Sequence, residues 1–486
     1  MVGVKGLGRG CWRALAALLL LGAGLAAGCG DVSPVNVSSQ IALDSPAVSG
    51  RVTLELPAVS LAERVEPVSP VEPVSKELAR PNILLITVDT LRADAVGAYG
   101  NPRAKTPNMD SLAQDGTLFS LDMTVVPQTN PTHASILTGV FPSRHGIFHH
   151  MASMLSDSVK PLAEIMSEAG YTTTGHYSWI SFDPQYSGLE RGFATYERHT
   201  VDRSWPADRK PDFYEEYLDS KADVTTDGVL AWLERSGKDP FFMWIHYNDA
   251  HWPYEPPSPF DTMFDGCQSC MDGSIQSIIR VTEGYQATSV ETAHLRGLYD
   301  GEVAFVDQQL GRLFGWLRDR GLLDRTVVVL TADHGEGFGE KGLWSHQEVM
   351  YNTALRVPLL IRYPGGVPKA VVGAPASAVD ILPTLMDILG LPTPEGLHGK
   401  SLLPLMQGTE DGHDRAVFSQ LWDARKVSVV YQGMKLIKDR DTGALQLYDL
   451  AQDLAENHDL TGARPEVARI LEQRVDAWVK DQGLGP

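Results

Sequence analysis

Three short stretches of this chain hold residue types that could bind an oxyanion and attack it. The first is Pro127-Gln-Thr-Asn-Pro-Thr-His-Ala-Ser-Ile-Leu-Thr-Gly139. Pro131 has no N–H to donate and suits the opening turn of a helix. Ala134 to Leu137 can continue that helix, and Gly139 is a natural stop. Thr129 then stands among the free backbone N–H groups of the helix start, where a phosphate or sulfate is favoured. The other two stretches are Asp89-Thr90 and Asp333-His334-Gly335-Glu336. Alone, Asp-His-Gly is often just a turn. Two carboxylates, an imidazole and a hydroxyl together suit a divalent cation (Ca, Mg, Mn or Zn), with Asp89, Thr129, Asp333 and His334 as ligands. Such a cation would lower the hydroxyl's pKa and offset charge building on a tetrahedral or pentavalent centre.

Both acidic clusters leave the ends of buried strands. Asn82–Val88 is a continuous apolar, β-rich run that ends at Asp89, and 326–331 is another that ends just before Asp333. Open α/β sheets collect their ligands at such carboxyl ends. Further buried strands are expected at 241–246 and 358–362, and helices at 106–116, 159–169, 219–235 and 294–320. The alternation predicts an α/β fold with a mostly parallel sheet flanked by helices. Residues 81–410 form the expected catalytic domain, with 261–290 as an insertion or lid of weak periodicity. From about 411 the pattern changes to short strands (415–421, 427–431, 445–448) and a final helix, 465–481, which predicts a smaller C-terminal α+β subdomain over 411–486.

The N-terminus reads as a targeting segment. Lys5, Arg9 and Arg13 precede an apolar run from Ala14 to Ala27, too short to span as a mature helix. It ends in Leu25-Ala-Ala-Gly-Cys29, which resembles a bacterial lipoprotein cleavage box. Residues 1–28 are therefore expected to be a lipoprotein signal peptide, and the Pro-, Val- and Ser-rich 29–80 a tether. Lipid on Cys29 would hold the chain at the bacterial cell envelope, facing the periplasm or exterior. In that oxidising compartment Cys267 and Cys270 are expected as a local disulfide ahead of free thiols. The formal charge of −20 argues against a nucleic-acid polymer as partner but permits an anionic ester substrate in a locally cationic cleft.

The chain resembles the sulfatase family of the alkaline phosphatase superfamily. The likeness runs through Pro81-Asn-Ile-Leu-Leu-Ile-Thr-Val-Asp-Thr-Leu-Arg92, Thr106-Pro-Asn-Met-Asp-Ser-Leu-Ala113, Ala134-Ser-Ile-Leu-Thr-Gly139, Pro142-Ser-Arg-His-Gly146, Thr331-Ala-Asp-His-Gly-Glu336, Arg356-Val-Pro-Leu-Leu-Ile361 and Leu447-Tyr-Asp-Leu450. The resemblance implies that fold and a metal-dependent ester hydrolase. The departures concern chemistry. Sulfatases mature a Cys or Ser to formylglycine; here Thr129-Asn-Pro-Thr-His133 occupies that motif, so no formylglycine is expected and Thr129 itself becomes the nucleophile. His133 takes the place of the motif's arginine, and Thr90 that of a second aspartate. Thr-x-Pro-x-His is similar to the nucleotide pyrophosphatase/phosphodiesterase branch, where threonine attacks phosphorus. His251 matches the family histidine that touches the transferred group, and His346 lies near a sulfate-binding lysine. A less favoured alternative has Asp249, His251 and His346 hold a second metal. Rival readings are an envelope transferase of phosphoryl headgroups and a catalytically silent anion-binding relative.

The lipoprotein reading makes a direct prediction: mass spectrometry of the mature N-terminus should find lipid on Cys29. Cys29→Ser should release the chain into the soluble fraction with hydrolysis unchanged; an unmodified start elsewhere would sink the reading.

Overall fold

Every side chain of strand β1 (Asn82–Val88) is buried, as a run covered on both faces of a sheet must be. The computed structural model describes residues 80–200, 221–236, 240–264, 267, 270–346, 348–367 and 369–485. The expected signal peptide, Cys29 and the tether lie outside these. The large sheet adds β2 (Thr117–Met123), β3 (Thr172–Tyr177), β4 (Thr195–Arg198), β5 (Phe241–Tyr247) and β6 (Thr326–Ala332). A short hairpin follows, β7 (Gly337–Phe338) with β8 (Trp344–Ser345), and then β9 (Arg356–Arg362), β10 (Ala370–Val372) and β11 (Ala376–Ser377). The order across the sheet is β10-β2-β9-β6-β1-β5-β3-β4, with β11 also on β2. All pairings are parallel except those of β9, which runs antiparallel to both β2 and β6.

Side chains alternate between the two faces of a strand, and the core divides accordingly. Ile83 and Leu85 pack with Phe242, Trp244, Val327 and Val329 under the helix Thr129–Thr138, through its Ala134, Ile136 and Leu137. Leu84 and Ile86 pack on the other face with Met243, Ile245 and the long helix Ser289–Asp319. Thr87, Thr331 and His246 continue the first face, which is why the chemistry gathers on the side where Thr129 lies.

Several helix boundaries differ from expectation for local reasons. The long helix starts at Ser289, not 294, because Thr288 and Glu291 form a capping box. The helix expected over 159–169 is shortened to Leu162–Glu168, with Pro161 at its N-cap. Thr106 does not cap the helix Pro107–Asp115 with its side chain; its hydroxyl instead accepts from the Gly97 N–H and bonds Asp110. Within 261–290 a helix, Ile275–Thr282, forms behind Ser274, whose hydroxyl accepts from Ser277 N–H, and Cys267 and Cys270 are joined as a disulfide.

The C-terminal unit is a four-stranded antiparallel sheet of β12 (Ala416–Gln420), β13 (Lys426–Tyr431), β14 (Met434–Asp439) and β15 (Leu445–Asp449). The helix Pro465–Asp481 covers one face through Leu471, Val475 and Trp478. Strand β12 ties this sheet to the approach of the Thr129 helix: Gln420 N–H donates to Val125 O at 2.8 Å and Ser419 Oγ to Thr124 O at 2.6 Å.

Trp478 stacks on Phe418 with ring centroids 5.1 Å apart and meets Phe141 edge-on. Trp478→Ala is therefore predicted to cost about 3–5 kcal/mol in urea unfolding; a loss within about 0.5 kcal/mol, normal for a surface site, would refute this packing role.

Candidate active site

The register of β1 with its two parallel neighbours builds the centre. Val88 pairs with Ala332 on one side and Tyr247 on the other. One residue further, Asp89 and Asp333 emerge together at the carboxyl edge of the sheet. Adjacent strands lie about 4.8 Å apart, and one ligand atom each from Asp89, Asp333 and His334 fall within 4.8 Å of one another, all three residues buried.

Hydrogen bonds set what each atom offers. Asp333 Oδ1 accepts from the backbone N–H of Thr90 at 3.1 Å and of His334 at 2.8 Å, leaving Oδ2 with no hydrogen bond. Thr90 holds a left-handed φ of 54°, unusual for a β-branched residue; its carbonyl accepts from Tyr299 Oη at 2.9 Å, which fixes the turn. His334 Nδ1 faces Gly335 O at 3.0 Å. A carbonyl only accepts, so Nδ1 carries the proton and Nε2 is a bare lone pair. That lone pair faces Asp333 Oδ2 at 3.4 Å, Asp89 Oδ1 at 3.8 Å and Thr129 Oγ1 at 3.4 Å. Burial pushes the Asp333 carboxyl up and holds His334 well below the usual imidazole range. Two carboxylates and an imidazole nitrogen converging on one spot fit a divalent cation, and the Gly335 carbonyl on Nδ1 orients the ring as a ligating histidine requires. Asp89, Asp333 and His334 would hold it.

Thr129 opens its helix, is 2% exposed, and follows Gln128 in extended conformation. His133, one turn on, lies behind it. Its Nδ1 donates to Thr129 O at 2.7 Å, and its Nε2 is 3.0 Å from Thr87 Oγ1, which also accepts from Trp244 Nε1 at 3.1 Å. The Thr87 hydroxyl therefore donates to His133, and both ring nitrogens are committed to protein groups. His246, not singled out in the sequence, lies beneath the centre with Nε2 3.5 Å from Asp89 Oδ2.

His251 and His346 do reach the centre. His346 stacks on His334 at 4.1 Å and lies 5.5 Å from His251. His346 Nδ1 is 3.3 Å from Glu336 Oε1, and His251 Nδ1 donates to Trp252 O at 2.7 Å. Burial pulls His346 to about 3, and burial followed by His346 does the same to His251. Burial also raises Glu336 to about 6. Two members of this cluster were not anticipated: Glu336, quoted only as part of a motif, and His150, whose Nδ1 is 3.2 Å from Asn130 Oδ1. Neither has a sequence signal of its own. The alternative second-metal set does not assemble. Among the described residues Asp249 forms no ligand group with His251 and His346 and turns instead to Lys221, 3.7 Å away. Lys221 also meets Glu302 at 2.9 Å, whose Oε1 accepts from Glu255 N–H at 3.0 Å and so steadies the loop carrying His251.

The fold and this geometry agree with what the chain is similar to. Residues 81–391 match the sulfatase family, and residues 339–481 match the family described as N-sulphoglucosamine sulphohydrolase, C-terminal. The chain belongs to the sulfatase family. It is 30% identical to an ulvan-active sulfatase of Formosa agariphila over 70% of this chain and 67% of that one. It is 27% identical to the multifunctional alkaline phosphatase superfamily protein PehA of Trinickia caryophylli over 72% of this chain and 82% of that one. Among solved structures, a phosphonate monoester hydrolase of Agrobacterium radiobacter superposes with a TM-score of 0.68 at 23% identity, covering 83% of this chain and 96% of that one, a likeness of fold.

The Glu302 carboxyl gives a pH prediction. Burial raises it from 4.5 to about 7, against the pull of Lys221. The folded state thus binds the proton more tightly than the unfolded state, so this group's contribution to stability falls as pH rises from about 4.5 to about 7. Urea unfolding of Glu302→Gln should show a shallower loss over that window than the parent; parallel curves would contradict it.

Proposed function

We propose that this chain is an exported, lipid-anchored metal-dependent hydrolase of anionic esters, favouring phosphate over sulfate esters, with unmodified Thr129 as nucleophile. The observation that carries the reading is the Thr129 hydroxyl at a helix start, 3.4 Å from the bare Nε2 of His334 and beside two buried carboxylates. A divalent cation bound there would supply Lewis-acid neutralisation of the ester anion and acidify the hydroxyl.

The chain's own residues divide the remaining work. Backbone N–H groups at the helix start receive the ester oxygens. Thr129 Oγ1, its proton released to solvent as the hydroxyl is acidified, attacks phosphorus, the P–O bond to the leaving group breaks, and the leaving oxygen takes a proton from His251. An ester anion beside His251 favours the imidazolium, so substrate binding supplies the form able to donate. Water then attacks phosphorus from the opposite face, His251 takes its proton, and the Thr129–phosphorus bond breaks to restore the Thr129 alkoxide. His133 is a positioning residue: through the Thr129 carbonyl it holds the nucleophile's backbone. His346, oriented by Glu336, and His150, oriented by Asn130, line the ester's approach.

The preference for phosphorus follows from the nucleophile. The aldehyde hydrate of a sulfatase expels sulfate by collapsing back to an aldehyde, a route closed to threonine, whereas a phospho-threonine can be opened in line by water. The relatives' names span both ester classes, an ulvan-active sulfatase and a multifunctional alkaline phosphatase superfamily protein, so the discriminating experiment compares matched aryl phosphate monoesters, diesters, phosphonates and sulfates. Phosphoester turnover should exceed sulfate turnover; Thr129→Ala should lower it at least about 1000-fold, and Thr129→Ser should retain part of it. Faster sulfate cleavage, or undiminished turnover by Thr129→Ala, refutes the mechanism. Transfer of the phosphoryl group to an added alcohol in place of water would favour the transferase reading, and absence of turnover on every ester the silent relative.

A further inference from the structure

On the opposite face of the sheet from Thr129, at its far edge, a second set of ligating side chains converges. His176 on β3 is in register with Glu197 on β4, the last strand of the sheet. Side chains two apart on a strand share a face, so Glu197 and His199 both stand beside His176. His176 pairs laterally with Ile245, not with His246, and so projects away from the catalytic centre, against Trp232 of the helix Ala222–Ser236 at a ring distance of 6.1 Å.

We propose that His176 Nδ1, His199 Nε2 and a Glu197 carboxylate oxygen form a second divalent-metal site, suited to zinc, that clamps edge strand β4 to β3. One ligand atom from each residue falls within 4.8 Å of the others. The two nitrogens are 2.8 Å apart, the rings stack at 5.1 Å with an interplanar angle of 14°, and Glu197 Oε2 is 4.0 Å from His176 Nδ1. Two imidazoles and one carboxylate select a borderline cation such as zinc over calcium or magnesium, which prefer all-oxygen sets.

Three further features show a site shaped for this. Thr174 Oγ1 lies 3.0 Å from His176 Nε2 and can accept its proton, the outer partner that turns the other ring nitrogen into a lone-pair donor. The His176 side chain is fully buried and its ring meets Trp232 edge-on, which fixes its direction. Gly228 makes room for His199: a Cβ there would stand 2.0 Å from the ring's Cε1, and glycine in a helix interior costs about 1 kcal/mol relative to alanine. Zinc binding moves the one proton between the two nitrogens, by exchange with solvent, from His199 Nε2 to Nδ1 of the same ring, so both imidazoles stay neutral, and opens the nitrogens to about 3.3 Å, the span of two bonds of roughly 2.0–2.1 Å at a tetrahedral angle. The Glu197 side chain is 43% exposed, which leaves water access to the fourth position.

The test separates this site from the catalytic one by variant. The chain is stripped with a chelator and titrated with Zn2+ by calorimetry, with bound metal counted by plasma mass spectrometry. Asp333→Asn should still bind one zinc, and His199→Gln in that background should bind none. Glu197→Gln, whose half-exposed side chain makes misfolding a poor explanation, should weaken the site at least about 10-fold. Cobalt in Asp333→Asn should give tetrahedral visible bands that His199→Gln abolishes, and zinc should raise the thermal midpoint of Asp333→Asn but not of the double variant. Stoichiometry unaffected by His199→Gln, or no zinc on folded Asp333→Asn, overturns the proposal and leaves a hydrogen-bonded histidine pair.

Discussion

Two buried carboxylates held side by side are the constraint on which the rest of the site depends. Asp89 and Asp333 are forced together by the parallel register of β1 and β6, and both are buried. Like charges so placed cannot both ionise unless something positive lies between them. Around them the protein supplies dipoles: two backbone N–H groups on Asp333 Oδ1, and a His334 lone pair whose direction is set by Gly335 O. Each of these helps to turn a ligating atom toward one spot. The left-handed turn at Thr90, pinned by Tyr299 from the long helix, delivers one of those N–H groups and so links the packing of the other sheet face to the centre.

Thr129 reaches that spot for a separate reason. Its helix is fully buried, lies on the face continued by Thr87 and Trp244, and is anchored there by His133. This histidine stands where the family has an arginine, yet both of its nitrogens are used inside the protein. The cluster around that spot is built from imidazoles: His150, His251, His334 and His346 all have pKa values lowered by burial.

Support for this arrangement extends well beyond it. The Lys221, Glu302 and Asp249 group steadies the loop before His251, and the C-terminal sheet braces the approach to Thr129 through Ser419 and Gln420. Burying these polar contacts costs free energy that the large two-sided core offsets, so the geometry of the centre rests on packing far from it.

By itself the sequence determined the elements whose signals are local. Unbroken apolar runs mark β1, β5 and β6 as doubly covered strands, and Asp89 and Asp333 are legible because each directly follows such a run. Pro131 and Gly139 bracket the Thr129 helix by the same kind of local chemistry. Strands β2 and β14 escaped notice because polar residues, Ser120 and Asp122 in one and Lys435 and Lys438 in the other, interrupt their apolar pattern. Only the tertiary structure decided which histidines meet. His150 joins the centre across 20 residues to Asn130, and His176 meets His199 because two strands pair in one register. His133 takes the arginine's place in the motif, but that its ring bonds the Thr129 carbonyl and Thr87 is visible only in the fold. Periodicity reports that a side chain is buried; its partner is chosen by strand register and helix placement, which no short stretch of sequence encodes.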